Sequence, residues 1–180
     1  MLLGRNGAGK TTTLRSIMGL WNQVEGNINF KGENIARMPT PKVAQKGIAY
    51  VPEDMGIFAM LTVKENMTLA ARSGKFDEKR LEWIFEYFPP LKKFWNNPAG
   101  KLSGGQKQML AVARAIIEPR DLVLVDEPSK GLAPAIIDNM RDAFLELKKE
   151  QTMLLVEQNF AFAKAVGDSV AVMDDGKVIY

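Results

Sequence analysis

Near its start the chain reads Gly4-Arg5-Asn6-Gly7-Ala8-Gly9-Lys10-Thr11-Thr12, a match to the pattern G-x-x-x-x-G-K-[ST]. Three glycines let the backbone bend so that several N–H groups face one anion, which is typical of a phosphate-binding loop. The following helix directs its N-terminal partial charge at the same point, Lys10 can reach the outer phosphates, and the Thr11 hydroxyl can ligate Mg²⁺. The alternative is a glycine-rich turn before a helix. We expect the phosphates to contact Gly4, Asn6, Gly7, Ala8, Gly9, Lys10, Thr11 and Thr12.

The residues on either side of this loop favour phosphate binding. Met1, Leu2 and Leu3 look like the end of a buried strand, and apolar residues follow the loop at helical spacing. A strand, a glycine-rich loop and a helix in this order are the setting that the pattern requires.

Composition limits the classes of protein to which the chain can belong. Its 180 residues suffice for one buried domain with a lobe inserted in it. The net charge is only +3 and the lysines form isolated pairs, so we expect no nucleic-acid partner. There is no cysteine, which excludes disulfides and thiolate metal sites, and no histidine. No apolar run approaches the ~18 residues of a membrane span, so we expect any membrane role to be played from the surface through another subunit.

The first half of the chain predicts two strands and an apolar loop. Residues 26–32 alternate apolar and polar between glycines and predict a short strand whose partner is not evident upstream. Residues 47–52 predict a second strand, which ends at Glu53. The loop 53–61, which we call the apolar loop, contains Met55, Ile57, Phe58, Met60 and Leu61. It is explained either by internal packing or by a groove that receives a partner's helix.

A helical region follows the apolar loop. Residues 62–65 fit a capping box, and apolar residues in 77–88 keep to one helical face before Pro89 and Pro90 end the run. Residues 102–106, Leu-Ser-Gly-Gly-Gln, open another helix. Capping by the Ser and Gln does not explain the two glycines, which permit close approach of an anion to the helix N-terminus. We therefore predict that residues 62–119 are all-helical.

Residues 122–125 form a continuous apolar run of strand length, as expected for a parallel strand covered on both faces. The run ends at Asp126 and Glu127. At that edge of a sheet one acid can hold Mg²⁺ and the other can orient or deprotonate an attacking water. Acids that cap a helix before a proline are the alternative. A helix at 134–150, a strand at 152–156 and a hairpin at 170–179 complete a mainly parallel α/β pattern.

These motifs resemble those of the nucleotide-binding subunits of ABC transporters. Residues 4–11 resemble the Walker A loop, residues 102–106 the LSGGQ signature, residues 122–127 Walker B with the catalytic glutamate, and residues 129–132 the D-loop. The resemblance implies an α/β P-loop NTPase fold. Its ATP-binding core would comprise residues 1–61 and 120–180, with a helical subdomain at 62–119 and a remnant antiparallel β edge.

The resemblance also implies roles for individual residues. Glu127 would be the catalytic base, and Asp126 and Thr11 would hold Mg²⁺. Glu53 stands where the family usually has a glutamine that contacts the metal, and Gln158 stands where it usually has a histidine. An amide can hydrogen-bond phosphate but cannot become cationic, so we expect Gln158 only to position other groups of the site. The implied catalytic residues are Glu127, Lys10, Gln158 and Glu53, and the implied metal ligands are Thr11, Asp126 and Glu53.

The resemblance implies two kinds of partner. Two ATP molecules would be sandwiched in a head-to-tail homo- or heterodimer, in which Ser103, Gly104, Gly105 and Gln106 meet the other subunit's ATP. The apolar loop and the helical subdomain would contact membrane permease subunits, which places the chain peripherally on the cytoplasmic face of the membrane. Family members carry further strands and an adenine-stacking aromatic residue before the position of Met1, so we expect an incomplete domain that also lacks C-terminal family residues.

Three stretches, 47–53, 131–134 and 154–159, look most like the ATPases that serve branched-chain amino-acid importers. Importers of urea or short amides are the near alternative. A soluble ABC-type ATPase acting on DNA or ribosomes, a scaffold that binds ATP without hydrolysis, and a P-loop kinase remain as rivals. The kinase leaves residues 102–106 unexplained.

Overall fold

Strands and helices alternate along the computed structural model, which describes residues 1–21 and 25–180. The strands are β1 Leu2–Leu3, β2 Asn29–Phe30, β3 Glu33–Asn34, β4 Ile48–Val51, β5 Leu122–Asp126, β6 Thr152–Glu157, β7 Ala171–Asp174 and β8 Lys177–Val178. The α-helices are α1 Lys10–Ile17, α2 Thr40–Gln45, α3 Val63–Ala70, α4 Glu78–Tyr87, α5 Pro89–Lys93, α6 Gly104–Ile116, α7 Pro134–Leu147 and α8 Phe160–Val166, and Ala99–Lys101 forms a 3₁₀ turn.

Six strands form one sheet in the order β4-β5-β6-β1-β7-β8. All neighbours are parallel except β7 and β8, which form the predicted hairpin. The strand β1 lies inside the sheet, where Leu2 is in register with Val156 of β6 and Ala171 of β7. The prediction of a mainly parallel sheet flanked by helices is confirmed. The carboxyl ends of the parallel strands meet at one edge of the sheet, which we call the carboxyl edge.

Apolar side chains cover both faces of β5. Val123 and Val125 pack in one buried cluster with α6 and α7, and Leu124 packs in a second cluster with Leu14 of α1. This alternation explains the unbroken apolar run, because both faces of the strand are buried. The strand is held rigidly, and so is the position of Asp126 at its end.

The short strand at 26–32 has a partner that the sequence analysis did not find. The structure pairs Asn29 and Phe30 with Asn34 and Glu33 in an antiparallel hairpin. The partner lies downstream of the short strand. Its residues are polar and exposed, and such a pair carries no apolar alternation from which a strand could be predicted.

Four helices, α3 to α6, occupy the chain between β4 and β5. Both capping boxes form: the Thr62 hydroxyl accepts from the Glu65 N–H at 3.1 Å, and the Ser103 hydroxyl accepts from the Gln106 N–H at 3.3 Å. Pro89 ends α4 as predicted but also begins α5, because proline fits the first turn of a helix. We propose that residues 62–119 form a helical subdomain.

The other differences from the expected elements are small. The helix α7 ends at Leu147 rather than near residue 150, and β6 extends to Glu157. Within the described residues, no helix is both long and apolar enough to cross a bilayer.

Candidate active site

The phosphate loop connects β1 to α1 at the carboxyl edge, and its glycines are required for two different reasons. Gly7 and Gly9 have φ of 82° and 102°, a region that favours glycine. Gly4 is needed for space, because a Cβ there would lie 2.4 Å from the carbonyl oxygen of Met173 in β7. The Ala8 carbonyl accepts a 3.0 Å hydrogen bond from the Gly176 N–H in the hairpin turn. The hairpin β7–β8 therefore supports the loop from behind.

Lys10 is buried and reaches back across the loop. Its Nζ donates to the carbonyl oxygens of Gly4 at 2.9 Å and Arg5 at 3.0 Å, and it lies 3.5 Å from Oε1 of Glu127. Thr12 is exposed. The helix α1 begins at Lys10. The cation is thus held over the loop, within reach of the carboxylate that follows β5.

Asp126 is completely buried, and each of its carboxylate oxygens accepts one hydrogen bond. Thr11 Oγ1 donates to Oδ1 at 3.1 Å and Tyr50 OH donates to Oδ2 at 3.3 Å. Burial raises the pKa of Asp126 above its usual range, although both hydrogen bonds oppose that shift. Burial likewise raises the pKa of Tyr50 to about 12, so its hydroxyl remains a donor. Three elements, α1, β4 and β5, therefore meet at one carboxylate.

Glu127 follows β5 with a φ of 48°, a backbone conformation that residues other than glycine rarely adopt. Its Oε1 accepts a 2.5 Å hydrogen bond from Gln158 Nε2 and faces Lys10, while Oε2 lies 3.5 Å from Lys130 Nζ. Burial opposes ionisation, but the hydrogen bond from Gln158 and the two cations outweigh it and hold the pKa of Glu127 below its usual range. Glu127 is therefore a carboxylate at neutral pH.

Gln158 joins the two sides of the site. Its Nε2 donates to Asn6 Oδ1 at 2.6 Å as well as to Glu127, so one amide links the phosphate loop to the acid after β5.

Two further residues belong to the site but were missed by the sequence analysis. Tyr50 donates a hydrogen bond to Asp126, and Lys130 forms an ion pair with Glu127. Neither could have been found from spacing, since each is brought to its carboxylate by the tertiary fold.

Among the described residues, Glu53 makes no hydrogen bond with Thr11 or Asp126. Its carboxylate accepts a 2.5 Å hydrogen bond from Lys130 Nζ, and this lysine therefore lies between Glu53 and Glu127. A role for Glu53 as a metal ligand stays a prediction.

Residues 103–106 form the N-terminus of α6, with Ser103 as its cap. Their only recorded side-chain hydrogen bonds join Ser103 and Gln106 to each other, and within the described part of the chain no hydrogen bond or ion pair links them to residues 4–12. A Cβ on Gly104 would meet nothing within 4 Å, whereas one on Gly105 would lie 3.0 Å from Ile136. The N-terminus of α6 is therefore open in front of Gly104 and packed behind Gly105.

The apolar loop is shaped by one buried side chain. The Asn66 amide accepts from the Phe58 N–H at 2.9 Å and donates to the Phe58 carbonyl at 2.9 Å and the Thr62 carbonyl at 3.0 Å. Met60 is 91% exposed and Phe58 is 49% exposed, so internal packing does not account for the whole loop. A groove of about 400 Å³ runs beside it, lined by Leu20, Tyr50, Met55, Ala111 and Arg114 among others.

The oxygens of Thr11 and Asp126 fit a magnesium ion. They lie 3.1 Å apart at the mouth of the phosphate loop, and both are the hard oxygen donors that Mg²⁺ prefers. No cluster of three or more acidic, histidine or cysteine side chains suited to a metal exists among the described residues. A Mg²⁺ site can consist of one or two protein ligands together with phosphates and water.

The chain matches the profile of the ABC transporter family over residues 1–130. It is 39% identical to the high-affinity branched-chain amino acid transport ATP-binding protein BraG of Pseudomonas aeruginosa, an alignment that covers 99% of this chain and 78% of BraG. It is 36% identical to the probable branched-chain amino acid transport ATP-binding protein LivF of Archaeoglobus fulgidus, over 99% and 78% of the two chains. The ADP conformation of MJ1267, an ATP-binding cassette of an ABC transporter, superposes with a TM-score of 0.79 at 26% identity, over 99% of this chain and 77% of that one.

Proposed function

This chain belongs to the ABC transporter family of ATP-binding proteins, and we propose that it hydrolyses ATP to power the import of branched-chain amino acids. The observation that carries ATP hydrolysis is the cluster of Lys10, Asp126, Glu127 and Gln158 at the carboxyl edge. Importer and solute follow from the likeness to BraG and LivF.

Each residue of the cluster has a separate task. The backbone N–H groups of the phosphate loop and the Lys10 ammonium bind the β- and γ-phosphates. Thr11 and Asp126 hold Mg²⁺, which neutralises charge on the phosphates. Glu127 accepts a proton from the attacking water, and its ionised state at neutral pH suits a base. Gln158 keeps the Glu127 carboxylate oriented toward the phosphate loop through Asn6.

A second ATPase subunit completes the site. The N-terminus of α6 is open at Gly104, and among the described residues it makes no hydrogen bond or ion pair with this chain's own phosphate loop. A helix N-terminus with an exposed serine and glycine binds phosphate well. We propose that Ser103, Gly104, Gly105 and Gln106 close the phosphate loop of another subunit in a head-to-tail dimer.

Permease subunits bind at the apolar loop. Met55 and Gly56 of the apolar loop line the groove described above, and Phe58 and Met60 of the same loop are exposed. An apolar groove of this kind accepts an amphipathic helix. We propose that the chain is held at the cytoplasmic face of the membrane by this contact. Hydrolysis would reach the permease through Glu53, which begins the apolar loop and pairs with Lys130.

The test is the substitution Glu127→Gln. Loss of a general base lowers turnover by about 10²–10⁴-fold, whereas ATP binding should be retained because Lys10 and the loop are unchanged. Hydrolysis is measured by phosphate release and binding by equilibrium dialysis with labelled ATP. Glu146→Gln, at a half-exposed glutamate of α7 that pairs with Lys149, is the matched control. Wild-type turnover in Glu127→Gln would exclude Glu127 as the base.

The solute requires its own measurement. A strain of the source organism that lacks this chain should regain uptake of labelled leucine when the chain is restored, and Glu127→Gln should fail to restore it. Restored uptake of urea or acetamide without leucine uptake would assign the chain to an importer of short amides instead.

A further inference from the structure

Glu157, the last residue of β6, is a buried carboxylate with no role in the mechanism above. It is 2% exposed. A buried carboxylate is costly unless hydrogen bonds satisfy it, so its partners indicate what it stabilises.

Three backbone N–H groups donate to Glu157. Its Oε1 accepts from the Ser129 N–H at 2.9 Å, and its Oε2 accepts from the N–H groups of Gln158 and Asn159, both at 3.1 Å. One side chain thus fixes the backbone of two separate segments, residues 127–131 after β5 and residues 158–159 after β6.

Both segments carry site residues. Residues 127–131 contain Glu127 and Lys130, and residues 158–159 contain Gln158, whose amide reaches both Glu127 and Asn6. The last residue pair between β5 and β6 is Asp126 with Val156. One further hydrogen bond follows it, from the Glu127 N–H to the Val156 carbonyl. Beyond that point the backbone hydrogen bonds to Glu157 and the hydrogen bond from Gln158 to Glu127 connect the two segments.

We propose that Glu157 is a positioning residue that couples the segment bearing Glu127 and Lys130 to the segment bearing Gln158, so that the two move as one unit during turnover. The proposal rests on the proposed ATPase function. It predicts that disturbing Glu157 misplaces Gln158 and Glu127 without touching the groups that bind phosphate.

Glu157→Gln tests the coupling with little change in shape. The amide keeps one acceptor oxygen but presents an NH₂ group to at least one backbone N–H, so one segment loses its hydrogen bond. Because small misplacements of reacting groups cost up to about 10²-fold, we expect kcat to fall about 10- to 100-fold. The KM for ATP should change less than about twofold, since Lys10 and the phosphate loop are intact.

Two comparisons separate positioning from a general loss of stability. Lys148→Ala removes hydrogen bonds to the Val166 carbonyl and Asp168 on the far side of the fold, and it should lower the melting temperature without lowering kcat. In a Gln158→Ala background, Glu157→Gln should cost less than it does in the wild type, because the group it positions is already gone.

The proposal is overturned if Glu157→Gln keeps wild-type kcat, or if its loss of kcat is matched by Lys148→Ala at the same melting temperature. If Glu157→Gln does not fold, hydrogen exchange on the wild-type chain decides. The amides of Ser129, Gln158 and Asn159 should exchange slowly although they lie outside strands, and fast exchange would refute the coupling. An inactive wild-type chain would instead refute the proposed ATPase function, whatever the exchange rates are.

Discussion

Tyr50→Phe should weaken the site by removing one hydrogen bond from Asp126. The carboxylate is fully buried, and its Oδ2 has the Tyr50 hydroxyl as its recorded partner at 3.3 Å. A hydrogen bond to a charged group contributes about 1.5–3 kcal/mol, and this one is longer than usual, so we expect a loss of about 1.5 kcal/mol in the free energy of unfolding.

The loss is measured by urea unfolding at pH 8. With a slope of about 2 kcal/mol per molar urea, the midpoint should fall by about 0.7 M. The same substitution removes a group that orients the proposed Mg²⁺ ligand. Since such outer partners are worth about 10–100-fold in metal affinity or activity, the Mg²⁺ concentration for half-maximal hydrolysis should rise by about tenfold.

Tyr87→Phe is the matched control for this experiment. The Tyr87 ring packs on Trp83 at 4.6 Å, and its hydroxyl has no hydrogen bond recorded among the residues that the structure describes. It should leave the midpoint and the Mg²⁺ dependence unchanged. In an Asp126→Asn background, Tyr50→Phe should have a smaller effect on stability. An unchanged midpoint in Tyr50→Phe, or an equal effect in the Asp126→Asn background, would refute the assignment of this hydrogen bond.

Two further substitutions test the loop and a helix cap. Gly4→Ala should lower the free energy of unfolding by about 3 kcal/mol, because its Cβ would overlap the Met173 carbonyl oxygen at 2.4 Å. Gly104→Ala should leave the free energy of unfolding unchanged, because its Cβ would meet nothing within 4 Å. Thermal melts of the two variants measure the difference. Glu65→Ala should lower the urea midpoint at neutral pH, because hydrogen bonds from the backbone N–H and hydroxyl of Thr62 lower the pKa of Glu65. A lowered folded-state pKa stabilises above the unfolded pKa, so the difference from wild type should shrink as pH falls below about 4.3, and a difference that grows in acid would contradict the cap.

Features set by neighbouring residues could be predicted from the sequence. The capping boxes at Thr62 and Ser103 depend on residues three positions apart, and both form with the expected donors and acceptors. The run 122–125 predicted a strand buried on both faces, and the structure places it between α1 on one face and α6 and α7 on the other. Local spacing and apolar pattern decide such elements before any tertiary contact is known.

Features set by distant residues could not be predicted. The hydrogen bond from Tyr50 to Asp126 spans 76 positions, and nothing in the sequence around Tyr50 marks it as a partner. Glu157 looked like an ordinary polar residue at a strand end, yet it is buried because three backbone N–H groups converge on it. The partner strand Glu33–Asn34 was missed because polar, exposed residues carry no strand pattern.

The position of β1 in the sheet has a consequence during synthesis. Leu2 pairs with Val156 and Ala171, so both neighbours of this strand are made more than 150 residues after it. At about 5–20 residues per second, the ribosome supplies the first neighbour roughly 8–30 seconds after the strand itself. The phosphate loop therefore leaves the ribosome attached to an apolar segment that has no pairing strand. Chaperones that bind short apolar segments would have that interval in which to capture this segment of the nascent chain.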